Sequence, residues 1–395
     1  ENNQRALDVA GTGQYKRALK LFEKAVEQEP TNPDYVANLG VTLWRLDRLE
    51  AAYGTFVDVV RDHPNFANGW RNYAGIVRAK NGNGTLQHKV SPLPTLTYDE
   101  FLSERGAKYR AGRLPFKVTR LPDHPQWQGS TAFSDWSFEY FARKFPDRRA
   151  DFYPHNMGVE TVKPYITTLE TGLAELMSPS GRYPSNPDNP GAYVQFNVMA
   201  NDWREIMEEL GDLPAFLVDM ETWFEACLPT VELQDSFSLS THWHMVLLGT
   251  EHAGMFNHWD IMGTASYQIQ VRGEKQWHLC APTFGHLMGG AGSINTFNPD
   301  YEEHAQFKAA SCFLDTVKEG ELVYYPANYW HQTVNLGAVN IAASGSVVDL
   351  SNYDDVRTQM QRDCGSPKPR FSFTKEVCAT LDSVCYPWWQ RAFEG

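Results

Sequence analysis

Nowhere in its 395 residues does the chain hold an apolar run approaching the roughly 18 to 20 residues that a membrane-spanning helix needs. No membrane span is expected. The chain opens on Glu1 rather than Met, as chains do once a leader has been removed, so targeting is not read from this end. Basic residues are the minority, 35 against 48 acidic, for a net charge of −13. With no basic stripe to offset it, that balance opposes a phosphate backbone and excludes nucleic acid as the expected partner. Basic peptides gain a general attraction. The six cysteines form no C-x-x-C pair, which removes zinc ribbons and thioredoxin-like motifs. Core-forming material is abundant: 42% of residues are hydrophobic and 13% aromatic, enough for two or three domains of a globular protein.

Cys364, Cys378 and Cys385 crowd into the last 32 residues, whereas Cys227, Cys280 and Cys312 sit among apolar neighbours. Two readings stay open: six buried or idle thiols, or a disulfide within the tail, which implies an oxidising compartment. The sequon Asn83-Gly84-Thr85 leans the same way, toward an organelle lumen or the secretory pathway rather than the cytosol.

At the N-terminus Ala18, Phe22 and Pro30 recur as Ala52, Phe56 and Pro64, each displaced by 34 residues. The windows between read as amphipathic helices ended by proline. This spacing resembles tetratricopeptide repeats over residues 1–82. Small Ala18, Gly40, Ala52 and Ala74 would let helices approach, and Phe22, Phe56 and Trp70 would fill between them. Because fewer than about three complete repeats are present, the array is expected to pack on the more C-terminal part of the chain. It is read either as a groove for a protein partner or as a buttress.

Residues 83–97 are Gly-, Pro- and Thr-rich and read as a linker. Residues 98–237 carry short helices, including one over "LPAFLVDMETWFEACLP", and a strand at "AYVQFNVMA". From about Ser238 to residue 350 the chain is mostly short β runs such as "TASYQIQV" and "ELVYYP", which argue for a barrel rather than a Rossmann-type sheet. Residues 351–395 read as a helical tail. The expected fold class is α+β: an all-α helical-repeat domain, then a double-stranded β-helix (jelly-roll) domain with flanking helices.

His258 and Asp260 lie two apart and would face one way from a strand, with Trp259 facing out. His331 comes 71 residues beyond Asp260, after "GELVYYPANYW". Two histidines and a carboxylate on adjacent strands would occupy one face of an octahedral ion, the facial arrangement used for non-haem Fe(II). A bidentate oxo-acid and dioxygen would take the open positions. Past the turn Arg272-Gly273-Glu274, Lys275 shares a strand face with Trp277 and Leu279. A lysine on an apolar face is costly unless an anion meets it; otherwise it is an edge lysine reaching water. His242 and His244 read as wall histidines, His278 faces away from Lys275, and Cys280 and Cys312 read as core.

The order of these motifs, from about Tyr98 to Asp349, resembles the JmjC and cupin-like family of Fe(II), 2-oxoglutarate-dependent oxygenases. The resemblance implies His258, Asp260 and His331 as catalytic iron ligands and Lys275 as the partner of the distal carboxylate of 2-oxoglutarate. It also implies Ser266 and Thr264 as polar groups facing that cosubstrate. The pattern departs from many relatives at Met255, where they carry Thr, and at Ser344, where they carry Asn, with Asn340 nearby. Hydroxylation of a protein or peptide side chain is expected over demethylation, since chromatin-reader modules are lacking. The competing readings are a catalytically silent assembly subunit working through its repeats, and a cupin that uses Zn or Mn. Dimerisation through the tail is one use of the C-terminal helices; covering the chain's own barrel with Trp388 and Trp389 is the other.

Overall fold

The computed structural model describes residues 2–46, 48–64, 66–81, 88–154, 164–178, 192–211, 226–260 and 262–394. The sequon and most of the helix expected over "LPAFLVDMETWFEACLP" lie outside them. The chain forms two compact units, one of residues 1–91 with 280–312, the other of residues 92–279 with 313–395.

The first unit contains five helices: α1 (Asn2–Gly11), α2 (Tyr15–Gln28), α3 (Pro33–Arg45), α4 (Leu49–Asp62) and α5 (Ala67–Asn81). Helix α3 begins where Pro33 fixes φ and the Asn32 side chain accepts from the Asp34 amide. The 34-residue period has a steric meaning. A Cβ on Gly40 would stand 2.6 Å from the Phe56 ring, so only glycine lets α3 seat that fully buried phenyl. Among the described residues, helix α5 has no second helix of its own repeat beside it; it packs against 3-10 turns of the 280–312 segment, Pro282–Leu287 and Ala305–Ala309. Trp70 stacks on His286 with ring centroids 3.9 Å apart. A disulfide between Cys280 and Cys312 closes the neck of that segment. These two cysteines, read from sequence as core thiols, are thus a cross-link. A short strand, β1 (Lys89–Ser91), ends the N-terminal portion.

The second unit carries β2 (Thr95–Leu96), β3 (Phe116–Val118), β4 (Arg149–Pro154), β5 (Tyr165–Thr168), β6 (Ala192–Asn197), β7 (His244–Gly249) and β8 (Gly254–His258). It continues with β9 (Ala265–Arg272), β10 (Lys275–Cys280), β11 (Ser311–Val317), β12 (Glu321–Tyr325), β13 (Trp330–Asn335) and β14 (Asn340–Val347). The large sheet runs β2-β3-β12-β9-β14-β7-β6-β4-β5, and a smaller one places β11, β10, β13 and β8 side by side. This is the jelly-roll pairing expected from the sequence. Strand β9 shows how it divides space: Tyr267, Ile269 and Val271 join the main apolar core, whereas Ser266 and Gln268 face the interior of the roll.

The main run of strands begins at His244, six residues later than Ser238, because Val231–Thr241 is a helix. Thr230 caps it, accepting from the Leu233 amide, and it buries Gln234, Phe237 and Thr241 on one face. Three C-terminal helical segments, Tyr353–Cys364, Lys375–Thr380 and Tyr386–Glu394, pack with Phe237 and Trp243 in a second core containing fully buried Trp389. The tail also holds a disulfide, Cys364–Cys378. No helix among the described residues is long and apolar enough to cross a membrane.

Candidate metal centre

His258 ends β8 and His331 sits near the start of β13, and these two residues are direct partners in the antiparallel register. The pairing is tight: a Cβ on Gly254 would lie 1.9 Å from the Thr333 carbonyl oxygen, so glycine at the head of β8 permits the close approach. Asp260 comes just past the end of β8. Its Oδ1 lies 3.9 Å from His258 Nε2 and 3.8 Å from His331 Nε2, and the ligating atoms of all three lie within 4.8 Å of one another. They surround one point on the protein interior.

The orientation of each donor is fixed from behind. His258 Nδ1 stands 2.7 Å from the Phe256 carbonyl oxygen and His331 Nδ1 3.0 Å from that of Tyr329. Each Nδ1–H donates to backbone, which leaves both Nε2 lone pairs aimed at Asp260. Ser266 donates to Asp260 Oδ2 at 2.7 Å, and the Tyr325 hydroxyl also bonds this carboxylate, so Oδ1 is left for the histidines. Burial pushes the Asp260 carboxyl up, but the two imidazoles and these hydroxyls outweigh it and hold it below the ordinary range. Burial, then the neighbouring His331, lowers His258 to about 4 against the pull of Asp260. Carboxylate plus unprotonated imidazole is the form a divalent cation needs.

The donors open on a cavity of about 210 Å³ walled by Met245, Met255, Met262, Trp243 and Phe256. Trp259, expected to face out, borders this cavity while packing on Trp330 at 4.5 Å between centroids. A smaller inner pocket of about 50 Å³ lies behind the donors and is lined by Tyr193, Gln268, Trp277 and Thr333. Gln268 is 2% exposed, and its Oε1 is buried without a protein partner. Lys275 is 1% exposed, forms no ion pair among the described residues, and places Nζ 5.4 Å from the Tyr193 ring centroid. Burial lowers its ammonium to about 7. The turn that aims it depends on Gly273 at φ +72°, where a Cβ would come within 2.4 Å of the Val339 carbonyl. A buried ammonium near a small pocket fits an acidic ligand, and two imidazoles with one carboxylate fit a divalent first-row metal.

The remaining residues singled out from sequence fall in different places. Thr264 and Ser344 line the main cavity, Ser344 donating to the Tyr267 carbonyl at 3.0 Å. Asn340 stands outside both cavities and donates to the Gly337 carbonyl at 2.6 Å. His244 stacks on Trp203, while His242 lines the cavity. Sequence reasoning missed Tyr193, Gln195 and Thr333. The signals were available: Tyr193 and Gln195 alternate with apolar Val194 and Phe196, and Thr333 lies two residues beyond His331. Thr333 is also the cross-strand partner of Met255 and accepts from its amide at 3.3 Å, so a hydroxyl stands opposite the place where the sequence puts methionine.

Comparisons with known proteins bear on the fold. The model of the cupin-like domain matches residues 103–344, and that of the tetratricopeptide repeat matches residues 10–74. HSPB1-associated protein 1 of Bos taurus is 25% identical over 101 residues, covering 23% of this chain and 21% of the bovine protein. The bifunctional lysine-specific demethylase and histidyl-hydroxylase NO66 of Drosophila persimilis is 24% identical over 170 residues, covering 43% of this chain and 21% of the fly protein. The chain thus spans about a fifth of the length of the curated relatives it matches.

Proposed function

The chain belongs to the cupin-like domain family, and from that membership we propose that it is an Fe(II)- and 2-oxoglutarate-dependent oxygenase that hydroxylates a side chain of a protein or peptide. The observation that carries the reading is the convergence of His258, Asp260 and His331 with both Nδ1 atoms committed to backbone carbonyls. Its distant likeness to a histidyl-hydroxylase supports the reaction class. The repeats support a protein partner or substrate, and the name of the bovine relative is that of an associating protein. Two disulfides support an oxidising location, an organelle lumen or the secretory pathway.

Fe(II) at the three donors would supply the coupling of dioxygen reduction to oxidative decarboxylation of 2-oxoglutarate, and with it the oxidation of a substrate C–H bond. The chain's own residues bind and orient. Ser266 occupies Asp260 Oδ2, and the Tyr325 hydroxyl bonds the same carboxylate, so the two orient it toward the histidines. Lys275, in contact with Tyr193, takes the distal carboxylate of the cosubstrate, and Thr333 supplies the hydroxyl that Met255 cannot. The Met and Trp wall keeps water from the reacting centre. Ser344 and Thr264 face the cosubstrate from the cavity side, whereas Asn340 shapes the turn that carries Gly273.

The test is direct. Purified protein with Fe(II) and 2-oxoglutarate, kept anaerobic, should develop the visible charge-transfer band of the chelated acid, and should consume 2-oxoglutarate on admission of oxygen. His258→Ala should abolish both. A band absent from wild type, with metal uptake unaffected by His258→Ala, would sink the proposal. Met255 favours a second reading, a silent assembly subunit, which predicts metal binding without the band.

A further inference from the structure

The inner face of the large sheet does not stop at the cavity. In antiparallel pairs, directly opposed residues share a face. Gln195 of β6 lines both the cavity and the inner pocket. Its partner across β4 is Asp151, whose partner across β5 is Ile166. These residues therefore form one row that leaves the cavity wall and runs to the sheet edge, where Ile166 is 49% exposed. Asp151 is half-buried in the middle of the row and bridges to no lysine or arginine among the described residues. It is a carboxylate partly removed from water, one strand away from the cavity-lining Gln195.

His242 lines the same cavity as Gln195. It caps the helix Val231–Thr241 in the left-handed region at φ 54°, a conformation glycine adopts far more readily. Asp151 and Asp260 both act electrostatically on it, each favouring its charged form against burial. Burial lowers its pKa, leaving a neutral ring able to accept a hydrogen bond. The protein spends backbone strain to keep a histidine at this position.

We propose that Asp151 and His242, together with Gln195, form the anchor for a basic side chain of the peptide substrate, holding an ammonium or guanidinium group beside the metal centre. The net charge of −13 supports the same choice of partner. The proposal rests on the oxygenase reading for the peptide's fate but not for its capture. Asp151 and His242 are positioning residues: they touch neither metal nor cosubstrate.

The experiment measures fluorescence anisotropy of labelled nonapeptide pools, randomised except for a central Arg, Lys, norleucine or Glu, binding to the full chain with and without Mn(II). The Arg or Lys pool should bind about tenfold more tightly than the Glu pool. Asp151→Asn should bring the pools to within about threefold of each other, and Asp151→Lys should invert their order. His242→Gly should weaken the basic pools while leaving Mn(II) binding unchanged, a separation that damage to the fold would not give. The difference between the Arg and Lys pools identifies which cation fits. Equal affinity for all pools, or a preference that survives Asp151→Lys, overturns the anchor. Absence of Mn(II) binding would instead strike the oxygenase reading and leave the pool comparison standing.

Discussion

Replacing Lys275 with methionine should make the protein more stable and at the same time unable to hold an acid. The side chain is 1% exposed and its ammonium falls from an ordinary 10.5 to about 7, the cause being burial. Above pH 10.5 folded and unfolded chains are both neutral here and nothing is lost. As pH falls, the unfolded chain takes up a proton that the folded one refuses, and the penalty grows until it levels off near pH 7. At pH 7.5 it amounts to about 4 kcal/mol. Methionine matches the stem of lysine and carries no charge, so Lys275→Met should recover most of that. Thermal or urea unfolding should show the variant well above wild type at pH 7.5, with the gap closing toward pH 10.5. Calorimetry in buffers of different ionisation enthalpy should show wild type taking up nearly one proton on binding 2-oxoglutarate at pH 8, because the acid restores the ammonium; the variant should lose about 100-fold or more in affinity. A variant no more stable than wild type at pH 7.5, or a gap that does not change with pH, would refute the reasoning.

The supports of the other groups make equally definite claims. Ser266→Ala removes the bond to Asp260 Oδ2 and should weaken Mn(II) or Co(II) binding about 10- to 100-fold by titration. Phe56→Ala empties the space over Gly40 and should cost the repeat unit about 3 to 5 kcal/mol in denaturant unfolding. Opening Cys364–Cys378, which are 14 residues apart, with the Cys364→Ser/Cys378→Ser pair should cost about 3 kcal/mol, read from the midpoint shift. Metal binding should be the same in that variant and in wild type.

The sequence was most legible where one residue type has one structural use. Phe22 and Phe56 at a fixed interval announce stacked helices, and the alternation in "TASYQIQV" announces a strand with a polar inner face. The ligand set was legible for the same reason: His258 and Asp260 differ by two, and His331 comes after a strand and a turn. What stayed hidden depends on pairing between distant segments. Thr333 gains meaning only when β13 lies on β8 in a register that sets it opposite Met255. Tyr193 becomes part of the inner pocket only because β6 borders β7 in the large sheet. The helix Val231–Thr241 looked like the approach to a strand, since its Ser and Thr residues carry little periodic signal; Thr230 as cap and four buried residues, Gln234, Phe237, Ser238 and Thr241, decide it. The bond between Cys280 and Cys312 was beyond reach because each cysteine looked like ordinary apolar filling.

The segment between Cys280 and Cys312 also sets an order of events during synthesis. The five repeat helices leave the ribosome well before the surface that covers the Trp70 side of α5, which is encoded far downstream, past most of the strands of the roll. These helices therefore wait for a segment made much later before they reach their native form, and a fragment cut after Ser91 would lack the piece that completes them. Expression of the repeats by themselves calls for a permuted chain in which residues 280–312 are joined directly behind α5.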